Sequence, residues 1–214
     1  MRKVVRFLVW VGLAIGVVVG LARVTAIRWI RVPSGDPYLE ASIAPTLRGG
    51  DLIIVWRLTQ PKFGDLVMCP EPDAADRIVI GRIAGDEGDK VKVQGVKLEV
   101  NGRQAETETA CDPQKFTAVH PTTSAEIEQR CDVEAIAGHA HMRGGISGER
   151  ILPAPVDTTV EDGKVFLLSD NRLLPYDSRD FGQVDRSACT ETVVFRLVSA
   201  EGFFDAASRF TFIR

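Results

Sequence analysis

The sequence has few residues of the kinds that bind nucleic acids or metal ions. Its 26 Lys and Arg are outnumbered by 29 Asp and Glu, and the formal net charge is -3 at pH 7. No basic stripe follows the first residues, so we expect no nucleic-acid partner. Of the three histidines, His139 and His141 are spaced for one face of a strand, as metal ligands or as a base. No third ligand at clear spacing accompanies them, so the sequence predicts no metal site and no cofactor.

The chain also lacks internal repeats and long low-complexity linkers. Its 214 residues allow one medium domain, or one domain with an appendage. The only long apolar run is near the N-terminus, where residues 7–22 contain no charged or strongly polar side chain. This run approaches the roughly 20 residues that cross a bilayer, and we assign residues 7–26 to a transmembrane anchor. The alternative is a cleaved secretory signal that ends in the small residues 24–26. Positive residues flank both ends, so charge alone does not specify the orientation.

Short β-branched runs that follow turn signals predict a mainly β fold. The predicted strands lie at 51–56, 65–69, 78–85, 90–93, 164–168 and 192–195. Asn101 and Gly102, which follow another apolar run, predict a hairpin because both tolerate the positive φ of a type I′ turn. From 103 to 159 the periodicity fades, and we expect an inserted variable subdomain with short strands.

The four cysteines divide into two pairs by their surroundings. Cys111 and Cys131 lie in a polar stretch where two reduced thiols would have little role in packing. We predict that they form a disulfide, which implies an oxidising compartment. The alternative is two free cysteines in a cytosolic domain. Cys69 and Cys189 lie in apolar runs and are predicted to be small core residues.

Four blocks carry the most specific signal in the sequence. They read S-I-A-P-T-L from Ser42 with G-D at 50–51, then P-K-F-G-D-L-V-M-C-P at 61–70, G-R-I-A-G-D-E-G-D at 81–89, and S-D-N-R-L-L-P-Y-D-S-R-D-F-G at 169–182. In order and spacing these blocks resemble the boxes of bacterial signal peptidase I, a family of membrane-bound serine peptidases. Outside the variable insertion, the resemblance extends from about residue 33 to 198.

The resemblance implies an architecture, a location and a set of partners. It implies a signal-peptidase-like domain of two antiparallel β-sheets, built from residues 34–102 and 160–200, behind one N-terminal transmembrane helix. Residues 1–6 would be cytoplasmic, and the domain would lie on the periplasmic or extracellular side of the inner membrane. The partners would be the membrane and the signal peptides of exported preproteins, which the family cleaves.

The resemblance also implies a catalytic serine at Ser42, whose backbone N–H would bind the oxyanion. In this chemistry a lysine that is neutral near pH 7 accepts the serine proton, and burial in an apolar site lowers the lysine pKa. The register of the third block puts Gly81 where that lysine belongs, and a shifted register puts Ile78 there instead. Arg82 is no substitute, since a guanidinium keeps its proton in proteins.

Two further positions differ from the family pattern. Pro175 stands where a serine normally orients the lysine, and it has no hydroxyl group. Glu40 stands two residues before Ser42, where a side chain normally assists the oxyanion, and a carboxylate there would repel negative charge. Ser34 is an alternative source of that hydroxyl, after an insertion in this chain.

The remaining matched residues are expected to hold turns and an ion pair near the site. They are Arg82, Asp170, Asn171, Asp177 and Arg179. Lys62, Lys90 and Lys92 are candidates for a replacement base, but they are better explained as solvated strand residues. His141 is the fourth candidate.

Several functions remain open on the sequence alone. They are a signal-peptidase-like serine endopeptidase with an unidentified base, an inactive pseudoprotease that binds exported segments, a dedicated maturation peptidase with an altered base, and an envelope scaffold without a ligand. The working prediction is that the Ser/Lys mechanism does not operate.

Overall fold

Antiparallel strands form most of the domain in the computed structural model, which describes residues 2–136, 138–146 and 153–213. The predicted mainly β class is confirmed. The helices are α1 (Arg2–Thr25), α2 (Pro37–Ile43) and α3 (Ser178–Phe181). The strands are β1 (Ile27–Arg31), β2 (Leu52–Trp56), β3 (Leu66–Glu71), β4 (Ala74–Asp86), β5 (Lys90–Gln94), β6 (Lys97–Val100), β7 (Arg103–Gln104), β8 (Glu106–Val119), β9 (Glu126–Ile136), β10 (His139–Ile146), β11 (Val156–Thr159), β12 (Lys164–Leu168), β13 (Val184–Asp185), β14 (Glu191–Val198) and β15 (Thr211–Phe212).

Between Arg6 and Arg23 the helix α1 is apolar around its whole circumference. Its segment Arg2–Leu21 has a mean hydropathy of 2.4, and none of that segment is buried against the rest of the chain. By length and composition it is able to cross a membrane. At the end of the helix the Thr25 hydroxyl donates a hydrogen bond to the carbonyl of Leu21, and β1 follows almost at once.

The largest sheet has the strand order β1-β2-β14-β3-β4-β12-β13, with β15 paired to the far end of β14. Its inner face packs on α2 through a buried apolar cluster to which both the sheet and the helix contribute: Val32, Leu39, Ile43, Leu47, Ile53, Val55, Leu66, Met68, Ile80 and Val193. Because side chains in a strand alternate between faces, the predicted β-branched runs supply one residue in two to this core.

Two smaller sheets complete the domain, with strand orders β11-β5-β6-β7 and β10-β9-β8. The hairpin predicted at Asn101 and Gly102 is confirmed, since both have positive φ (52° and 79°) and Val100 pairs with Arg103. Between 103 and 159 the expected short strands occur at β7 (2 residues) and β11 (4 residues), but β8 with 14 residues and β9 with 11 are longer than expected. The strands β8 and β9 are hard to identify from hydrophobic periodicity for two reasons. Buried residues of β9 include charged side chains, and a register shift interrupts the pairing of β8 with β9 between Ala110 and Lys115.

All four cysteines are paired. Cys111 of β8 and Cys131 of β9 form a disulfide whose Cα atoms are 5.3 Å apart. Cys69 and Cys189 are buried in the core, as expected, but they also form a disulfide that the sequence did not predict, with Cα atoms 4.7 Å apart. Their separation of 120 positions in the sequence conceals this proximity, which arises because β14 pairs with β3.

Candidate active site

The short helix α2 places Ser42 at the centre of the domain. Asp36 caps the helix by accepting hydrogen bonds from the backbone N–H groups of Tyr38 and Leu39, and Pro37 occupies the first turn. Ser42 lies near the C-terminal end of α2 and is fully buried. Its hydroxyl donates to the carbonyl of Leu39 at 2.9 Å, which is its one hydrogen bond within the described part of the chain.

Asn171 fixes the backbone around Ser42. Its N–H donates to the Ser42 carbonyl at 3.0 Å, and its side-chain amide donates to the Ala41 carbonyl at 2.8 Å. Its side-chain oxygen accepts from the N–H groups of Leu173 and Leu174, which shapes its own turn. One asparagine therefore joins two segments that are far apart in sequence.

A buried ion pair lies beside this contact. The Arg82 guanidinium donates to both Asp170 oxygens, at 2.7 and 3.2 Å, and also to the carbonyl of Gly64. The Thr46 hydroxyl donates a short hydrogen bond to the same carboxylate. These contacts tie β4, the turn after α2 and the segment after β12 into one rigid unit.

Asp177 and Arg179 form a second buried pair one turn further along the chain. Asp177 caps α3, accepts from the N–H of Ser169 at 2.8 Å, and contacts the Arg179 guanidinium at 2.7 and 2.9 Å. Burial alone would raise the pKa of Asp177, but the Arg179 charge and these hydrogen bonds lower it below its ordinary value.

Nothing at position 81 provides a base. Gly81 is a buried β4 residue, and a Cβ atom added there would lie 3.3 Å from Leu167 Cβ and 3.4 Å from the Leu168 carbonyl oxygen. All seven lysines fall among the described residues, and none of them is buried. Of the candidate replacements, Lys62 is exposed, while Lys90 and Lys92 make surface ion pairs.

The other two positions that differ from the family pattern, Glu40 and Pro175, supply neither a hydroxyl nor an amine to the site. The Glu40 side chain lies against Gly49, and its carboxylate accepts from the N–H of Gly35 at 2.6 Å. Ser34 is exposed in the loop before α2, and Pro175 is half-buried after the Asn171 turn.

A buried charged cluster between β9, β10 and the core was not foreseen from the sequence. Glu134 contacts the Arg172 guanidinium at 2.6 Å and the Arg143 guanidinium at 3.2 Å, and Arg143 also contacts Asp132. The register places His141 opposite Glu134 and Arg143 opposite Asp132. The sequence does contain a signal for this cluster. Residues 132–134 read D-V-E and residues 141–143 read H-M-R, so each strand carries a charged or titratable side chain at every second position. The two motifs lie at matched distances from the turn that joins the strands.

His141 occupies the centre of this charged cluster. Its Nε2 lies 3.4 Å from Glu134 and 3.9 Å from Asp170, without a hydrogen bond of good geometry within the described chain. Burial and the nearby Arg82 charge lower the pKa of His141 below 6.5, which keeps the imidazole neutral at pH 7. Burial alone would raise the pKa of Glu134, but Arg172, His141 and Arg143 lower it to about 2.

Chemically, this arrangement holds Ser42 rigidly but does not activate it. No amine or imidazole forms a hydrogen bond with the Ser42 hydroxyl in the described chain, and the side chains of β8 pack over α2. The described residues also contain no group of three or more His, Cys, Asp or Glu that is suited to a metal ion. A serine without a base attacks amides very slowly.

Comparisons with known proteins agree with the arrangement of the blocks. The sequence matches the family described as signal peptidase, peptidase S26, over residues 4–198. It is 26% identical over 148 residues to signal peptidase I V of Bacillus subtilis (strain 168), covering 67% of this chain and 73% of that protein. It is 24% identical over 162 residues to signal peptidase I of Streptococcus pneumoniae serotype 4, covering 73% and 78%. A crystal structure of a signal peptidase I from Enterococcus faecalis V583 matches with a TM-score of 0.42 and 19% identity, covering 63% of this chain and 97% of that one.

Proposed function

Because this chain belongs to the signal peptidase family, peptidase S26, we propose that it is a membrane-tethered, signal-peptidase-like protein that binds segments of exported proteins without cutting them by the Ser/Lys mechanism. One observation carries the proposal: Ser42 is buried with its hydroxyl bonded to Leu39, while every lysine is at least partly exposed. None of the described lysines forms a hydrogen bond with the Ser42 hydroxyl, so none is placed to accept the serine proton.

The expected loss of rate is large. In serine peptidases, removal of the base or the nucleophile typically costs about 10⁴- to 10⁶-fold in turnover. Gly81 offers no side chain to compensate, and Pro175 offers no hydroxyl to orient one. What remains is a rigid scaffold around Ser42, which fits a binding role.

Two features support membrane attachment: a helix that precedes the main sheet and an apolar row on the sheet itself. The first is α1, which leads directly into β1. The second is an apolar row across four strands, in which Trp29 pairs with Ile54, Ile54 with Phe195, and Phe195 with Phe212. Trp29 is 42% exposed and Phe212 is 75% exposed. Because cross-strand partners share a face, this row forms an uncovered apolar surface next to the tether, and aromatic residues favour the bilayer interface.

The two disulfides support placement of the domain on the oxidising side of the membrane. Disulfides persist in the bacterial periplasm and on cell surfaces and are rare in the cytosol. With α1 as a single span, residues 1–6 would remain cytoplasmic, and the domain would face the periplasm or the exterior. Ser42 would then lie near the outer interface, where exported segments emerge.

The proposal is tested by binding. The full chain in lipid nanodiscs should bind a labelled exported preprotein, and Ser42→Ala should bind it equally well because no serine chemistry is involved. The same preprotein without its signal peptide is the control. Absence of binding by both chains would refute the proposal.

A second candidate is a peptidase with an altered base, and His141 is the observation that favours it. The imidazole is buried and neutral at pH 7, as a general base must be. This candidate requires turnover that His141→Gln abolishes while leaving preprotein binding intact.

A further inference from the structure

The hairpin β8–β9 projects beyond the third strand of its sheet. Because β10 pairs with β9 only over residues 130–136, residues 115–129 form a two-stranded arm. At the base of this arm the pairing shifts, and residues 111–114 of β8 have no partner on β9. The disulfide between Cys111 and Cys131 joins the two strands at the same place. A bulge interrupts the ladder and bends the strand, so the base of the arm is a natural hinge.

Polar contacts fix the base of the hairpin to the domain, but they do not fix the arm. At the base, Glu134 contacts the Arg172 guanidinium at 2.6 Å. The carbonyl of Gly144 on β10 accepts from the N–H of Arg172 at 3.0 Å. Within the described chain no hydrogen bond or ion pair joins residues 115–129 to a residue outside the hairpin. The arm is therefore free to move without breaking a polar contact with the core.

Apolar side chains alone hold the arm against α2. Ala118 of the arm is 5% exposed and Ala41 of α2 is 3% exposed, because the two belong to one buried cluster. The cluster contains Phe116, Ala118 and Ile127 from the arm, and Ala41, Leu173 and Leu174 from the core. A segment with few contacts of this kind belongs to the low-stability end of a structure, where local opening occurs.

The Phe116 ring seats the arm on β10. It lies so close to Gly144 that a Cβ atom added there would overlap with the ring, and the same point is 3.3 Å from Pro45 in the turn after α2. Gly144 does not have a positive φ, so an alanine there would displace the ring without straining the backbone. The closed position of the arm therefore depends on the absence of a side chain at position 144.

Gln129 makes the closed position costly. It is the cross-strand partner of Phe116, so both side chains lie on the inner face of the arm. Gln129 is 1% exposed, and neither its amide nitrogen nor its amide oxygen has a hydrogen-bond partner within the described residues. A buried amide without partners is destabilising, and water would satisfy both atoms once the arm lifted.

We propose that the arm, residues 115–129, is a lid that turns about the bulge at 111–114 and alternates between a closed and an open state. In the closed state it withdraws one apolar face of the serine-bearing helix from solvent. In the open state Ala41, Leu173 and Leu174 are uncovered, so the chain itself controls access to α2. This inference goes beyond the proposed function and does not depend on it, because the lid opens whether or not an exported segment binds.

The alkylation rate of a single buried thiol tests the lid. All four cysteines are paired, so Ala41→Cys supplies the one free thiol of the chain. Its reaction with N-ethylmaleimide is followed by mass spectrometry on the full chain in detergent. The matched control is Val55→Cys in the core of the main sheet, which is fully buried and reacts only when the domain unfolds. We expect Ala41→Cys to react at least about tenfold faster than Val55→Cys. If Ala41→Cys prevents folding, Ala118→Cys is the reporter from the arm and should show the same ratio.

Substitutions at the seat of the arm should shift the lid toward its open state. Gly144→Ala and Phe116→Ala should each raise the rate at position 41 about tenfold and leave the rate at position 55 unchanged. The double variant should react no faster than Phe116→Ala alone, because the overlap at position 144 disappears with the ring. Lys115→Ala is the control on the exposed outer face of the arm and should change neither rate.

Gln129→Leu should act in the opposite direction. It removes the unpaired amide from the closed state, so the rate at position 41 should fall several-fold. Equal rates at positions 41 and 55 in the parent chain would overturn the proposal. A rise at both positions in Gly144→Ala would also overturn it, since that result means unfolding of the domain rather than opening of a lid. So would a Gln129→Leu rate at position 41 that equals or exceeds the parent rate.

Discussion

Individual buried polar and charged residues, together with the apolar cluster under α2, fix the segments around Ser42. Arg82 and Asp170 are both about 1% exposed, and each depends on the other for its compensating charge. Removing one partner of a buried pair leaves an unpaired charge, which typically costs about 3–5 kcal/mol.

The first prediction concerns this pair. Asp170→Asn should lower the free energy of unfolding by about 3–5 kcal/mol, measured by urea denaturation of the full chain in detergent. Lys115→Ala is the matched control, because its pair with Glu128 is exposed, and it should cost less than about 1 kcal/mol. Equal effects of the two substitutions would contradict the assignment of Arg82 and Asp170 as a buried structural pair.

The second prediction concerns His141, which faces Glu134, Asp170, Arg82 and Arg172. Its folded-state pKa is lowered by burial and by Arg82, so the unfolded chain takes up this proton first as the pH falls through 6.5. The contribution of His141 to stability is therefore fully present above pH 6.5 and is lost below it. Glu134 behaves separately, since its contribution is present above pH 4.5 and is lost toward pH 2.

Unfolding at pH 7, 6 and 5 measures this contribution. The wild-type chain should lose stability over that interval, and His141→Gln should lose markedly less. His120→Gln, at the half-exposed histidine of the β8–β9 turn, should behave as wild type. Parallel curves for His141→Gln and wild type would contradict the account.

Among the elements, five strands of the main sheet were predictable, whereas β1, β13, β15 and the hairpin β8–β9 were not. The runs at 51–56 and 164–168 consist mostly of β-branched or apolar residues, and both contribute buried side chains to the core. Local sequence is therefore sufficient to identify these two strands. On β9 the buried residues include Gln129, Asp132 and Glu134, so hydrophobic periodicity is absent from the face that packs inward.

The same contrast holds for the contacts around Ser42. The four blocks located Ser42, Asp170 and Asn171, because they carry a family pattern. The contacts between Asn171 and the α2 backbone span about 130 residues, and no local signal specifies which groups meet. The pairing of Cys69 with Cys189 was missed for the same reason.

The third prediction concerns the disulfide between β8 and β9. Cys111 and Cys131 should be paired in the protein isolated from its native membrane, and neither should react with alkylating agents before reduction. Replacing both with serine should cost about 3 kcal/mol, because the disulfide closes a loop of 20 residues in the unfolded chain. Mass spectrometry under non-reducing conditions decides the first point, and two alkylated thiols would refute the pairing.

For the molecule as a whole, the fourth prediction is that the apolar row on β1, β2, β14 and β15 contacts the bilayer. This row consists of Trp29, Ile54, Phe195 and Phe212. In the full chain with its native tryptophans changed to phenylalanine, Phe212→Trp should be quenched by brominated phosphatidylcholine vesicles. Glu108→Trp, at an exposed position of β8, is the matched control and should be quenched much less. Equal quenching at the two positions would mean that this face does not contact lipid.

The central claim is that Ser42 has no working base, and cleavage of a preprotein tests it most directly. The full chain in detergent should release no more mature product than Ser42→Ala does, and Gly81→Lys should not restore activity, because Pro175 has no hydroxyl to orient the lysine and the Ser42 hydroxyl is bonded to the Leu39 carbonyl. Clear turnover by the wild-type chain that Ser42→Ala abolishes would contradict the account.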